Sequence, residues 1–205
     1  MATWTKFYIK TDKVEELVQS LLKLTGNLNV LREQEFPNDI GKYRRMSLKP
    51  VYPNYMVVGQ PQEGWVTVTH NSLSNLASWG ESLSKQLETT CVLTSVQTAS
   101  STCHLGIYEK GSLIREIRVA DTRHSNKGKA LDFEEGLNPD LEHFDFSDME
   151  AYCRCLGLEL QGDYRSTKWT VLRPDELRNE MPDLMNEIRK MRPSLLQRIL
   201  SRFRK

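Results

Sequence analysis

The chain has 205 residues and a formal net charge of +1, with 28 Lys and Arg residues against 27 Asp and Glu residues. Charged residues make up 27% and hydrophobic residues 39%, a composition typical of a soluble globular protein and too apolar for a disordered one. The first residues, MATWTKFYIK, lack the apolar segment of a signal peptide, and no apolar run approaches the ~18 residues of a membrane span. These features predict a cytoplasmic protein.

The charges are unevenly distributed along the chain. Residues 186–205 hold seven bases and one acid, whereas the rest of the chain holds 21 bases and 26 acids. The sequence therefore predicts a basic C-terminal appendage on a mildly acidic body.

The chain begins with a pattern typical of a strand followed by a helix. Residues 4–11 alternate between apolar and polar types, and Asp12 is a candidate N-cap for the next element. An apolar stripe at helical spacing then ends at Gly26, a residue that favours a helix end. The stripe consists of Val14, Leu17, Val18, Leu21, Leu22 and Leu24.

Residues 27–62 are predicted to be irregular because four prolines interrupt any long element, with one buried strand at residues 55–59. Within this region Lys42-Tyr43-Arg44-Arg45 combines an aromatic ring with cations. Such a group can stack on bases and neutralise phosphates in a nucleic-acid protein, or it can simply lie at a solvated edge.

A second strand–helix pattern occupies residues 64–87 and is followed by three strands. The strand covers residues 64–69, Ser74 is a candidate N-cap, and the helix has an apolar stripe of Leu76, Trp79, Leu83 and Leu87. β-branched runs at 91–97, 103–109 and 112–119 predict two antiparallel hairpins. The glycine in Lys110-Gly111 suits the turn between the last two strands, since it tolerates a positive φ.

Residues 121–140 form the longest polar interval and are predicted to be a surface loop. Its first half carries the candidate anion-binding residues Arg123, His124, Lys127 and Lys129. His124 is also the candidate acid–base residue if the protein is an enzyme, because an imidazole titrates near neutral pH. The spacing matches neither a phosphate-binding glycine loop nor a calcium loop, so a solvated loop is the simpler interpretation.

Residues 141–205 are predicted to be mainly helical, with one short strand at 169–172. Ser147 and Glu150 have the spacing of a capping box for a helix over residues 148–156. Cys153 and Cys155 lie two residues apart on that helix, so their side chains point in nearly opposite directions and cannot bind one metal ion together. With Cys91 and Cys103, they are predicted to be reduced thiols, and no metal or cofactor site is predicted.

The final residues predict a basic amphipathic helix. An apolar side is formed by Leu195, Leu196, Ile199, Leu200 and Phe203, and the basic residues Arg198, Arg202 and Lys205 lie on the other side. Such a helix can bind an anionic membrane, a groove in a partner protein or nucleic-acid phosphates. It can also pack on the protein's own sheet or on a second copy.

These patterns together predict an α+β fold. We expect an antiparallel-rich sheet over residues 1–140 with helices on one face, built of ferredoxin-like β-α-β units, either single or duplicated. Residues 141–205 are expected to form a mainly helical part that packs on the same core.

A fold of this class is compatible with many functions, and the sequence contains no catalytic or cofactor-binding motif. The leading hypothesis is a non-enzymatic protein-binding or regulatory module that binds a protein partner or a second copy. The alternatives are a small enzyme for an anionic or phosphorylated substrate that uses the 121–140 loop, and peripheral membrane or nucleic-acid association through the C-terminal helix.

Overall fold

The computed structural model describes residues 3–26, 28–45, 51–97, 101–120, 123–137, 143–161 and 168–177. In this part of the chain, nine strands form one sheet. The strands are β1 (Thr3–Lys10), β2 (Asn29–Glu33), β3 (Met56–Val58), β4 (Trp65–His70), β5 (Thr90–Gln97), β6 (Thr102–Glu109), β7 (Ser112–Ala120), β8 (Arg123–Gly128) and β9 (Trp169–Arg173). The α-helices are α1 (Val14–Thr25), α2 (Ala77–Gln86), α3 (Glu134–Leu137) and α4 (Phe146–Cys155), and a 3-10 helix spans Ile40–Tyr43.

The order of strands in the sheet is β2-β9-β3-β4-β1-β5-β6-β7-β8, and each neighbouring pair is antiparallel. Strands β4 and β5 therefore run in the same direction on the two sides of β1, and α2 connects them across one face. The two edge strands are β2, which pairs with the distant strand β9, and β8, which forms a hairpin with β7.

The face that carries α1 and α2 is called the front face here. Its core consists of alternate strand residues, such as Phe7 and Leu93, packed against the leucines of both helices. Gly80 has a packing role in α2, because a Cβ at this position would lie 2.6 Å from the ring of Tyr108. The absence of a side chain thus lets α2 approach β6 closely.

The opposite face, called the rear face here, is covered as well. Apolar residues such as Tyr8, Val92 and Leu105 alternate with the front-face residues and pack against α4 and the chain around it. A smaller rear cluster covers β3 and β9 through Ile40 and Tyr55. The predicted arrangement with helices on one face only is therefore wrong, since contiguous apolar runs in the strands need cover on both sides.

The predicted fold class is also wrong for the C-terminal part. The short strand predicted at 169–172 is present as β9, but it lies inside the sheet, between β2 and β3, and the described C-terminal residues are not mainly helical. Val171 and Leu172 are both buried, one on each face, so this strand is part of the central core. The helices predicted beyond residue 177 lie outside the described residues.

Helix α4 begins two residues before the predicted start. Its N-cap is Asp145, whose carboxylate accepts hydrogen bonds from the backbone N–H groups of Ser147 and Asp148. The carboxylate of Asp148 in turn accepts a hydrogen bond from the Asp145 N–H, so the capping box uses Asp145 and Asp148 instead of Ser147 and Glu150.

None of the described helices combines the length and the hydropathy that crossing a membrane requires.

Candidate functional site at the edge of β8

The polar interval at residues 121–140 contains two regular elements and is not simply a loop. Residues Arg123–Gly128 form β8, which pairs with β7 at the edge of the sheet, and Glu134–Leu137 form α3. Sequence patterns miss β8 because it contains no β-branched or aromatic residue. Its strand structure comes from pairing with β7 and from the buried charges described below.

The predicted anion-binding residues do not converge on one side of β8. His124 and Lys127 are three residues apart on a strand, so their side chains point to opposite faces. Arg123 is the first residue of β8, and Lys129 follows the end of the strand in an exposed position. Among the described residues, His124 makes no side-chain hydrogen bond or ion pair, and its side chain is exposed.

The other predicted binding residues are at the C-terminus. Arg198, Arg202 and Lys205 lie outside the described residues, and the amphipathic helix stays a prediction.

On the rear face, β8 is held by the buried guanidinium group of Arg115. This side chain of β7 is 2% exposed and makes a two-point contact with Glu134, with Nε–Oε1 and Nη2–Oε2 distances of 2.8 and 2.9 Å. Its Nη1 donates to the side chain of Asn126 and, at 3.1 Å, to the carbonyl oxygen of Lys127. Arg115 therefore ties both β8 and α3 to β7.

Glu134 is itself fixed from two directions. Burial raises the pKa of its carboxyl group, but the hydrogen bonds from Arg115 and from the Leu131 N–H outweigh burial, so the pKa is lowered. Beside it, Phe133 packs edge-on against Tyr152 of α4, with 5.3 Å between the ring centres. The segment after β8 is thereby docked on the rear core.

On the front face, β8 is held by the carboxylate of Glu116, the next residue of β7. Its Oε1 lies 3.4 Å from Nε2 of the buried His104, and its Oε2 lies 2.9 Å from Nζ of Lys127 and accepts a hydrogen bond from Ser125. The His104 imidazole and the Lys127 ammonium group lower the pKa of Glu116 from 4.5 to about 2, although burial acts in the opposite direction. The carboxylate is therefore ionised at neutral pH.

Arg118 lies next to this cluster on the front face and is exposed. In the sheet it pairs with His104 of β6 on one side and with Ser125 of β8 on the other. Within the part of the chain that the structure describes, its guanidinium group makes no hydrogen bond or ion pair. It is thus a cation close to the sheet edge whose charge is not compensated by a neighbour.

Sequence reasoning missed the residues that build this region: His104, Arg115, Glu116, Arg118 and Glu134. The available signal was Arg115-Glu116 in the middle of the apolar-patterned strand SLIREIRVA. Two consecutive charged residues within a strand reach both faces, so at least one of them needs a buried partner.

In the cationic motif at residues 42–45, Lys42 is exposed, whereas Arg44 is half-buried against the sheet. Arg44 donates hydrogen bonds to Thr5 Oγ1, to the carbonyl oxygen of His70 and to that of Thr3. Burial, together with the charge of Arg44, lowers the pKa of His70 to about 3, so this imidazole is neutral. These contacts give Arg44 a structural role, since they join the start of β1 to the end of β4.

The remaining ionisable groups suggest no separate site. No three His, Cys, Asp or Glu residues are placed to hold a metal ion within the described segments. Cys91, Cys103 and Cys153 are buried free thiols whose pKa burial raises to about 12, and Cys155 is an exposed free thiol.

No family model, curated protein or solved structure matches the chain.

Proposed function

We propose that the protein is a non-enzymatic, cytoplasmic protein-binding module that adds an extended acidic segment of a partner protein to the outer edge of β8. The observation that carries the proposal is the position of β8. It is the last strand of the sheet, no described segment pairs with its outer side, and His124, Asn126, Lys127 and Gly128 are exposed along it.

An edge strand offers backbone N–H and C=O groups to a further strand, and many protein domains bind extended peptides in this way. Affinity is gained when the receiving strand is already ordered, because less conformational entropy is lost on binding. β8 meets this condition because side chains of β7 bind it on both faces. On the rear face, Arg115 donates hydrogen bonds to Asn126 and to the carbonyl oxygen of Lys127. On the front face, the carboxylate of Glu116 contacts the side chains of Ser125 and Lys127.

The charge of the edge favours an acidic partner. Residues 123–129 contain Arg123, Lys127 and Lys129 and no acidic residue, so their net charge stays positive although Glu116 of β7 offsets Lys127. Pairing of two β8 edges from separate copies would bring like charges together, which is unfavourable across strands. Lysines on edge strands also oppose aggregation, so the same residues that attract an acidic segment disfavour self-association.

Cytoplasmic location is part of the proposal and is supported by the four cysteines, all of which are free thiols. The enzyme hypothesis stays a prediction. The structure does not add to it, because His124 and Lys127 point to opposite faces. Membrane or nucleic-acid association through the C-terminal helix likewise stays a prediction.

The test uses two short labelled peptides, one of alternating threonine and glutamate and one with glutamine at each glutamate position. Fluorescence anisotropy at low salt should show at least about tenfold tighter binding of the acidic peptide. Hydrogen exchange of the complex should show slower exchange of the β8 amides, because edge pairing consumes their hydrogen-bonding groups. Equal binding of both peptides, or protection confined to another part of the chain, would overturn the proposal.

A matched pair of charge reversals localises the contact. Lys129→Glu introduces a negative charge beside β8 and should weaken binding of the acidic peptide severalfold. Lys10→Glu makes the same change at an exposed position of the central strand β1 and should leave binding nearly unchanged. An equal effect of the two variants would show that net charge, and not the β8 edge, determines binding.

A further inference from the structure

We infer that Arg118 selects the partner by binding a glutamate side chain on the added strand, at the position directly opposite Ser125. This inference rests on the proposed edge pairing and goes beyond it, since it names the residue that determines specificity and the partner position that this residue contacts. The juxtaposition that supports it is an uncompensated arginine on β7 behind a short serine on β8.

The sheet register places the three positions in one row. Arg118 pairs with Ser125 in the β7–β8 ladder, so a residue that pairs with Ser125 on its outer side continues the same row on the front face. Successive strands are about 4.8 Å apart, which puts this partner residue about 9.6 Å from the Arg118 backbone. Because serine is short, the guanidinium group can pass over it and meet a side chain from the far strand.

This separation favours glutamate over aspartate on the partner. The side chain of Arg118 spans most of the distance between the two strands, and a glutamate side chain, which is one methylene longer than aspartate, spans the remainder. An arginine and a carboxylate can then form a two-point hydrogen-bonded pair, which has a stricter geometry than a lysine contact.

Arg118 differs from its described neighbours in having no carboxylate partner among the described residues. Lys127 already lies 2.9 Å from the Glu116 carboxylate, so a buried negative charge offsets it. The Ser125 hydroxyl donates to the same carboxylate, and His104, on the other side of Arg118, is buried beside it. Arg118, in contrast, is exposed and has no partner among the described residues.

The experiment is a set of double-mutant cycles between the protein and the alternating threonine–glutamate peptide. Each glutamate of the peptide is replaced in turn by glutamine, and each peptide is titrated into the wild type and into Arg118→Gln. We expect one peptide position to lose about twofold to fivefold in affinity with the wild type, the range of a cross-strand pair, and to lose nothing with Arg118→Gln. The other positions should respond equally in both proteins.

Two further measurements make the result specific. A peptide of alternating threonine and aspartate should bind the wild type more weakly than the glutamate peptide, and Arg118→Gln should remove this difference. Arg118→Lys should retain part of the affinity but lose part of the glutamate preference, because lysine lacks the planar guanidinium group. Lys10→Gln, which neutralises an exposed cation on the central strand, should leave all preferences intact.

The outcomes separate this inference from the proposal on which it rests. If the acidic peptide protects β8 amides but Arg118→Gln leaves every peptide position unchanged, the role of Arg118 is overturned and edge binding stands. If no acidic peptide binds, or β8 is not protected, both are overturned.

Discussion

Arg115 and Glu116 are consecutive residues of β7, and the alternation of side chains along a strand turns them to opposite faces of the sheet. On the rear face, the partners of Arg115 are a buried carboxylate, the side chain of Asn126 and a backbone carbonyl oxygen, and the surrounding residues belong to the rear core. On the front face, Glu116 is shared between the buried His104 and a lysine that is 63% exposed.

The difference shows that β7 can stabilise the fold through one face and order an exposed binding edge through the other. The rear pair is closed to solvent, so it mainly determines where β8 and α3 lie. The front cluster extends from the core to the exposed edge, and Arg118 beside it is exposed. We therefore expect substitutions on the rear to affect stability most, and substitutions on the front to depend on pH and salt.

The largest effect is expected for Arg115→Met. Removing one partner of a buried ion pair leaves an uncompensated charge on Glu134 and typically costs about 3–5 kcal/mol in the free energy of unfolding. Urea unfolding monitored by circular dichroism measures this loss. Arg154→Met is the control, because Arg154 is 77% exposed and its contact with Glu150, at 3.7 Å, lies on the surface of α4.

A double variant makes the comparison sharper. Arg115→Met combined with Glu134→Leu removes both buried charges and should recover a large part of the lost stability. If the double variant is as unstable as the single one, the hydrogen bonds to Asn126 and Lys127, and not the pair with Glu134, account for the role of Arg115.

The second largest effect is expected for Gly128→Ala at the end of β8. Gly128 has a φ of +85°, and a Cβ at this position would lie 2.0 Å from the carbonyl oxygen of Ile114. Gly64 is a matched control, since its φ is +82° but a Cβ would meet no atom within 4 Å.

Both alanine substitutions incur the conformational cost of a positive φ, about 1 kcal/mol or more, but only Gly128→Ala adds a clash with backbone. Chemical unfolding should show a clearly larger loss for Gly128→Ala, and hydrogen exchange should place the added opening in β8. Equal losses of unfolding free energy in the two variants would mean that β8 moves away from β7 without a free-energy cost, which would contradict this prediction.

Much of the central sheet could be predicted from the sequence, because its residues carry local signals. The strands β5, β6 and β7 follow from β-branched runs, and Gly111 in the turn between the last two has the positive φ that the sequence indicates. Helices α1 and α2 follow from their apolar stripes. The run of three apolar residues in β5, Cys91-Val92-Leu93, also signalled burial on both faces, although helices were expected on only one.

The two edges and the buried charges could not be predicted in the same way. β2 is ordered by pairing with β9, a strand about 140 residues later in the chain, and nothing local to Asn29–Glu33 indicates this partner. β8 is a polar strand that depends on contacts from Arg115 and Glu116, and the partner Glu134 looks like any surface acid in the sequence. Propensity describes a residue and its neighbours, whereas these elements form through long-range contacts.

A smaller effect, dependent on pH, is expected for Glu116→Gln. The pKa of Glu116 in the folded protein, about 2, is below its ordinary value of 4.5, so ionisation of this group favours the folded state. This contribution is complete above about pH 4.5 and is lost as the pH falls toward 2. At neutral pH the substitution should cost roughly 1–3 kcal/mol, and the difference from the wild type should shrink as the solution is acidified.

Unfolding free energies of both proteins between pH 7 and about pH 2.5 provide the measurement. Glu109→Gln is the control, since it removes an exposed carboxylate from the neighbouring strand β6. If the Glu116→Gln difference stays constant over this range, or changes no more than that of the control, the pairing with His104 and Lys127 does not stabilise the fold.

The smallest effect is expected for Lys127→Met, on the solvent side of the same cluster. Its ammonium group lies 2.9 Å from the Glu116 carboxylate but is largely exposed, so its loss should cost only about 0.2–1 kcal/mol. In about 1 M salt the Debye length falls to about 3 Å, and this small difference should nearly vanish. The loss from Arg115→Met should hardly change, because salt screens buried charges much less. Measuring both variants by urea unfolding at low and high salt tests the contrast directly, and an equal salt response would show that the two faces of β7 do not differ as their solvent exposure indicates.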